Sequence, residues 1–201
     1  HIIGHIMQIV HYPHPSLRWK SRPVSRVSGA LRRTVQEMFE LMYEAKGIGL
    51  AANQVALPFR FFVINISGDP DLADEELVFL NPELSAQSGS TEGEEGCLSV
   101  PQVYGQVKRF EKITVEAYDL DGRGFSMDLD ELPARVVQHE TDHLDGVMFF
   151  DRMSETDRQG LEPQIDEFVT VFRHQQSTGE SPSDEELAEQ LSALERDGFG
   201  G

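Results

Sequence analysis

Gln138-His139-Glu140-Thr141-Asp142-His143 is the stretch that most constrains what this chain can fold into. It is an H-E-x-x-H run inside an apolar helical pattern that begins near Pro133, acceptable in a first helical turn, and stops at Gly146. At about 100° per residue, positions four apart differ by about 40° around the axis, so His139 and His143 project from one face with Glu140 alongside. Two imidazoles so placed can grip one divalent ion, and the neighbouring carboxylate can act as a general base, which is the arrangement of metal-assisted hydrolysis. The run fixes only three residues and also turns up in chains that bind nothing. A catalytic site needs a third protein ligand and an open position for water.

Downstream of the helix no third ligand presents itself. Glu155 and Glu162 lie in a polar, charged stretch, and although Gly146 follows His143 by three, position 149 is Phe149 rather than histidine. The single cysteine, Cys97, lies in Glu94-Glu95-Gly96-Cys97-Leu98-Ser99-Val100-Pro101, a loop-to-extended stretch flanked by glycine and proline. A lone cysteine forms no internal disulfide and is commonly a small buried hydrophobe. The glycine-flanked, acidic setting favours a ligand instead, giving Cys-His-His with a fourth position left for water. A third segment, Gly47-Ile48-Gly49-Leu50-Ala51-Ala52-Asn53-Gln54, follows a strong helical pattern. Gly47 fits the left-handed position that ends that helix. Gly49, Ala51 and Ala52 strip bulk from an extended segment, which suits a ligand lying against a strand, and Gln54 can offer an amide N–H to a developing oxyanion.

In this order, G-x-G-L-A-A-x-Q, E-G-C-L-S-x-P and Q-H-E-x-D-H-L-x-G resemble the three motifs of the peptide deformylase family, all complete, over a span from about Met7 to the helix after Asp151. The resemblance implies that Cys97, His139 and His143 are metal ligands and that Glu140 is the general base and acid. It also implies that Gln54 and the Leu98 backbone N–H form the oxyanion hole. The implied substrate is the N-formyl group of a nascent chain's first methionine, released as formate after attack by a metal-activated hydroxide. The implied cofactor is one divalent metal ion per chain, Fe²⁺ natively, while the ligand set also accepts Zn²⁺, Ni²⁺ or Co²⁺. Ile48, Gly96, Leu132, Arg135 and the stem of His139 are expected around the methionine side chain, with Leu132 equally suited to plain core packing. Peptide backbone is expected to pair with the strand edge at Ile48-Gly49. Glu95 and Arg109 can pair to brace the Cys97 loop, an interaction worth about 0–1 kcal/mol on a surface and more only if buried. Tyr104 stands where some family members carry an arginine.

With 201 residues and 39% hydrophobic content the chain supports one core. Its net charge of −18 argues against general nucleic-acid binding and against an anionic membrane surface, so any proximity to the ribosome is transient and local. One cysteine and no secretory pattern favour the cytoplasm, and no apolar stretch approaches the ~20 residues of a membrane span. Residues 1–6, ahead of Met7, read as an appended remnant, residues 7–175 as the catalytic domain, and residues 176–201 as an acidic extension, weakly helical or disordered, with few apolar anchors, Leu187, Leu191 and Leu194 carrying its helical pattern.

Leu31, Val35, Met38, Phe39, Met42 and Ala45 predict an amphipathic helix over about Ser28 to Lys46. Phe61-Phe62-Val63-Ile64 and Val78-Phe79-Leu80 read as strands, the stretch from Asp69 to Glu76 as an exposed loop, and the alternation on either side of Asp121-Gly122 as a β-hairpin. The expected fold is α+β, with mixed or antiparallel strands around a central metal-binding helix, an N-terminal amphipathic helix and a C-terminal helix. Two other functions use the same residues: a peptidase built on the metal helix, and a non-catalytic protein whose metal is structural and closed by four protein ligands.

Overall fold

The computed structural model describes residues 6–198, so the appended-remnant reading of residues 1–6 falls, apart from Ile6, outside the described residues. The first helix, α1, spans Gly29–Glu44, and Leu31, Val35, Met38, Phe39 and Met42 form its buried face. Ser28 caps it by accepting the Leu31 N–H at 3.1 Å. The helix ends one residue earlier than the glycine suggested. Lys46, at φ 60°, takes the left-handed position, with its N–H on the Tyr43 carbonyl and the Gly47 N–H on that of Met42. Gly47 is required for space instead, since a Cβ there would lie 2.6 Å from Leu98 Cδ1.

Five strands form one antiparallel sheet in the order β1 (Gly49–Ala51), β2 (Phe61–Ile64), β3 (Leu77–Ser88), β6 (Lys112–Tyr118) and β7 (Gly124–Asp130). β4 (Thr91–Gly96) and β5 (Tyr104–Arg109) make a separate two-stranded sheet. Successive side chains of a strand point to opposite faces, and β2 shows what that does here. Phe61 and Val63 join α1 in one apolar cluster, while Phe62 and Ile64 join the opposite one. The hairpin at Asp121-Gly122 forms as expected, with Gly122 at φ 75°.

On that opposite face lies α2 (Glu131–Leu144), which buries Ala134, Val137 and Leu144 against Phe62, Phe79, Ile113 and Val115. Its end needs a glycine twice over. Gly146 sits at φ 74°, and a Cβ there would stand 2.7 Å from the Arg18 carbonyl oxygen. A third apolar cluster, with Leu17, Val100, Val107, Phe149 and Ile165, supports the turn that carries Cys97. The α+β architecture therefore wraps two sheets around one helix.

α3 (Glu155–Thr178) runs through the boundary expected at residue 175, and α4 (Asp184–Asp197) forms where the sequence also allowed disorder. Three features fix α4. Ser183 caps it, Leu187 and Leu191 are buried, and Glu195 accepts the Trp19 indole N–H at 2.6 Å while pairing with Arg22 at 3.3 Å. Two leucines one turn apart are enough once the body supplies a polar anchor. Among the described residues no helix is long and apolar enough to cross a membrane.

Candidate metal centre

β4 delivers Cys97 to the site, because the strand ends at Gly96 and the chain turns there, with the Val100 N–H on the Cys97 carbonyl at 3.0 Å. α2 delivers His139 and His143 one helical turn apart. The three potential ligand atoms lie within 4.8 Å of one another. Cys97 Sγ is 3.4 Å from His143 Nε2, so that nitrogen is the one facing the sulfur. Sulfur and two imidazoles from two different elements thus converge on a volume suited to one borderline-soft cation.

The wall behind this volume is charged. Glu95, buried at the end of β4, holds His139 Nδ1 at 2.8 Å, receives Arg109 Nε and Nη2 at 2.9 Å each, and receives Arg135 Nη1 at 2.7 Å. Arg109 continues to Asp142 at 2.5 Å, and Asp142 to Arg152. The pair expected between Glu95 and Arg109 therefore lies in the interior, where each charge is dependent on its partners. Burial alone would raise the Glu95 carboxyl, but the bonds from Arg109 and His139 and their charges hold it well below the usual carboxylate range. A carboxylate on the outer nitrogen of a metal-binding imidazole fixes its tautomer and its ring orientation. This orienting role of Glu95 went unread in the sequence, where only its loop-bracing role was visible.

Burial opposes a charged His139, yet the bonds to Cys97 and Glu95 and the charges of Glu140 and Cys97 outweigh it and push the group up to about 10. The negative groups that hold a proton at His139 also favour a divalent cation there, and the donor set fits one. His143 behaves oppositely, pushed well below its ordinary value first by burial and then by the charges of His139 and Arg109. A neutral imidazole is the form that ligates metal.

Glu140 is buried, and its Oε2 has no hydrogen-bond partner among the described residues. Burial first, and the charge of Glu95 after it, raise its carboxyl to about 7, against the opposing pull of His139 and Arg109. Gly49 of β1 makes room for it, since a Cβ there would stand 2.9 Å from Glu140 Oε1. Gln54, in the short turn Ala52–Val55 after β1, accepts the Ala51 N–H on Oε1 at 2.9 Å. Its Nε2 points at Cys97 Sγ, 3.3 Å away, and at Ser99 Oγ, 3.2 Å away. The Leu98 side chain packs against the α1 cluster.

The remaining expected residues divide. Leu132 is 47% exposed in the first turn of α2, so the core-packing alternative fails. Leu132, Arg135 and His139 follow one another at i, i+3 and i+7, which places them on one face of the helix. The Arg135 guanidinium, however, is committed to Glu95 and to the carbonyls of Val107 and Thr91, leaving only its stem to line a pocket. Ile48 packs beside the α2 cluster. Gly96 lies under the Tyr104 ring, 2.7 Å from where a Cβ would stand.

Residues 6–159 match the family described as polypeptide deformylase. The chain is similar to the peptide deformylase of Rhodopirellula baltica, being 48% identical over 189 residues that make up 94% of each protein. It is similar also to that of Chromobacterium violaceum, at 44% identity over 80% of this chain and 94% of that one. Among solved structures it resembles the peptide deformylase of Plasmodium falciparum, with a TM-score of 0.81, 36% identity and coverage of 83% of this chain and 98% of that one. The enzyme from Legionella pneumophila superposes with a TM-score of 0.76 at 38% identity, covering 84% and 98%.

Proposed function

The chain belongs to the polypeptide deformylase family, metal-dependent hydrolases that remove the N-formyl group from nascent polypeptides, and we propose that here Cys97, His139 and His143 hold the metal while Glu140, Gln54 and Leu98 carry the chemistry. The observation that carries this reading is the convergence of three donor atoms within 4.8 Å beside a buried carboxylate whose Oε2 is uncommitted. When bound, a divalent metal lowers the pKa of water to about 7 and polarises a carbonyl. Glu140 takes the proton of the attacking water and returns it to the leaving amine, so that formamide plus water becomes formate plus a free α-amine.

Gln54 Nε2 and the Leu98 N–H donate to the formyl oxygen as it gains negative charge. The Gln54 amide faces Cys97, beside the space the formyl group would enter. Losing one such donor typically lowers turnover by ~10²–10³. β1 lies at one edge of its sheet, so peptide backbone can add alongside Ile48 and Gly49. That contact reads main chain rather than side chains. Ile48, Gly96, Leu132 and the stems of Arg135 and His139 surround the methionine side chain, whose unbranched thioether suits an irregular apolar wall. The native metal in this proposal is Fe²⁺, with Zn²⁺, Ni²⁺ and Co²⁺ as accepted substitutes. Transient proximity to the ribosome, in the cytoplasm, follows from a substrate that is still being synthesised.

Formate release from a formyl-methionyl peptide, assayed after anaerobic purification with metal content measured on the same sample, tests this assignment. Glu140→Ala should retain the metal and lose turnover by about 10²–10⁴, because Glu140 is a proton carrier and not a ligand. Loss of the metal in that variant, or cleavage of internal peptide bonds by the parent protein, would overturn the reading.

A further inference from the structure

Asn53 fills the variable position of the G-x-G-L-A-A-x-Q run and is completely buried. Its Nδ2 donates to the His143 carbonyl near the C-terminal end of α2, an oxygen that also receives the Gly146 N–H of the helix cap. Its own carbonyl accepts Ser16 Oγ at 2.7 Å. Its Oδ1 has no hydrogen-bond partner among the described residues. Burying an amide with one end unsatisfied is unfavourable, and a leucine of similar size would fill the space without that penalty. The bond to His143 is what the amide provides and a hydrocarbon cannot.

That bond has a counterpart in the next residue. Gln54 reaches Cys97 and Ser99, while Asn53 reaches His143, so two adjacent side chains tie one short turn to both sides of the metal centre. The turn is itself held from behind by the N-terminal stretch. Val10 N–H bonds the Gln54 carbonyl at 2.8 Å, Tyr12 N–H the Ser99 carbonyl at 3.0 Å, and Ser21 N–H the Leu144 carbonyl at 2.9 Å. Residues 10–21 therefore touch all three motif segments, with Ser16 fixed on Asn53 at their middle.

We propose that Asn53 is a positioning residue for this centre: its amide sets the spacing between the Gln54 donor and the His143 ligand, and Ser16 locks Asn53 in place. The proposal rests on the assignment of the centre given above. Displacing a reacting group by about 1 Å can lower a rate by about 10², and losing an outer partner of a metal ligand typically weakens metal binding by about 10–100-fold.

The test uses Asn53→Asp, which keeps the volume and removes the donor, Asn53→Leu, which keeps only the volume, and Ser16→Ala. Each is loaded with Zn²⁺ and compared with the parent for kcat and KM on a formyl-methionyl peptide and for the rate of Zn²⁺ release to a chromogenic chelator. Both Asn53 variants should lose about tenfold in kcat with KM within about twofold, and release Zn²⁺ about tenfold faster. Ser16→Ala should show the same pattern at about threefold. A folded Asn53 variant that is less stable but matches the parent in kcat and in release rate overturns the proposal. If neither Asn53 variant folds, Ser16→Ala decides it by the same two readouts. A parent protein that binds no Zn²⁺ or releases no formate would instead remove the assignment of the centre itself.

Discussion

Glu95 and Asp184 each hold an arginine at nearly the same distance, 2.9 Å to Arg109 and 2.8 Å to Arg173. At the metal centre the two side chains are 5% and 4% exposed, whereas on the α3–α4 hairpin they are 48% and 49% exposed. Distance alone would rank these pairs as equals. The difference lies in what happens when one partner is removed. On the hairpin, water rehydrates the charge that is left, and such pairs contribute about 0–1 kcal/mol. At the centre, Arg109 would be left with Asp142 alone, Arg135 with the Val107 and Thr91 carbonyls and the His139 ring with no acceptor on Nδ1, none of them rehydrated, a loss typically of about 3–5 kcal/mol. Burial turns an ordinary ion pair into a fixture that holds the orientation of the His139 ring.

The sharpest way to break this contrast is Glu95→Ala. Urea unfolding should show a loss of about 3–5 kcal/mol, and chelator competition a metal affinity weakened by about 10–100-fold. A loss under about 1 kcal/mol would erase the distinction between the two regions.

Next in size is His14, which joins the two regions from the N-terminal side. It is buried against Phe172 of α3, its Nδ1 accepts the Ser16 N–H, and Asp184 of α4 lies close enough to be felt. Burial lowers it from 6.5 to about 4, with Asp184 opposing. The unfolded chain therefore binds a proton between about pH 6.5 and 4 that the folded chain refuses, so stability is constant above that window and falls as pH drops through it. The loss by pH 4.5 should be about 2–3 kcal/mol, and His14→Asn, which keeps the acceptor but cannot titrate, should lack that component. Equal pH dependence of the two proteins in denaturant melts would dismiss the burial argument. The smallest effect belongs to Arg173→Ala, expected to change stability by less than about 1 kcal/mol in the same melts.

How much of this was legible in the sequence depends on how far apart the interacting residues stand. The helix pattern of α1, the Asp121-Gly122 hairpin and the i, i+4 geometry of His139 and His143 are local, and the chain forms them where the spacing predicts. The sulfur's partners lie more than forty residues away, yet three ordered motifs were specific enough to bring Cys97, His139 and His143 together in the reading. Glu95 shows where that fell short: its pair with Arg109, 14 residues away, forms as expected, but its bonds to Arg135 and His139 span 40 and 44 residues, and nothing in a carboxylate beside a glycine announces that it will be buried. Gly47 misled for a related reason, because a glycine after a helix advertises a left-handed turn, whereas what it accommodates here is the Leu98 side chain. In α4, three leucines and an acidic surface gave a weak signal because Trp19 and Arg22, which anchor Glu195, lie at the other end of the chain.

That last contact carries an experimental consequence. Trp19 is the single tryptophan of the chain, and its indole N–H is bonded to Glu195. The protein thus contains its own fluorophore at the seam where its two ends meet, so intrinsic emission can follow seating and release of the C-terminal helix without any label.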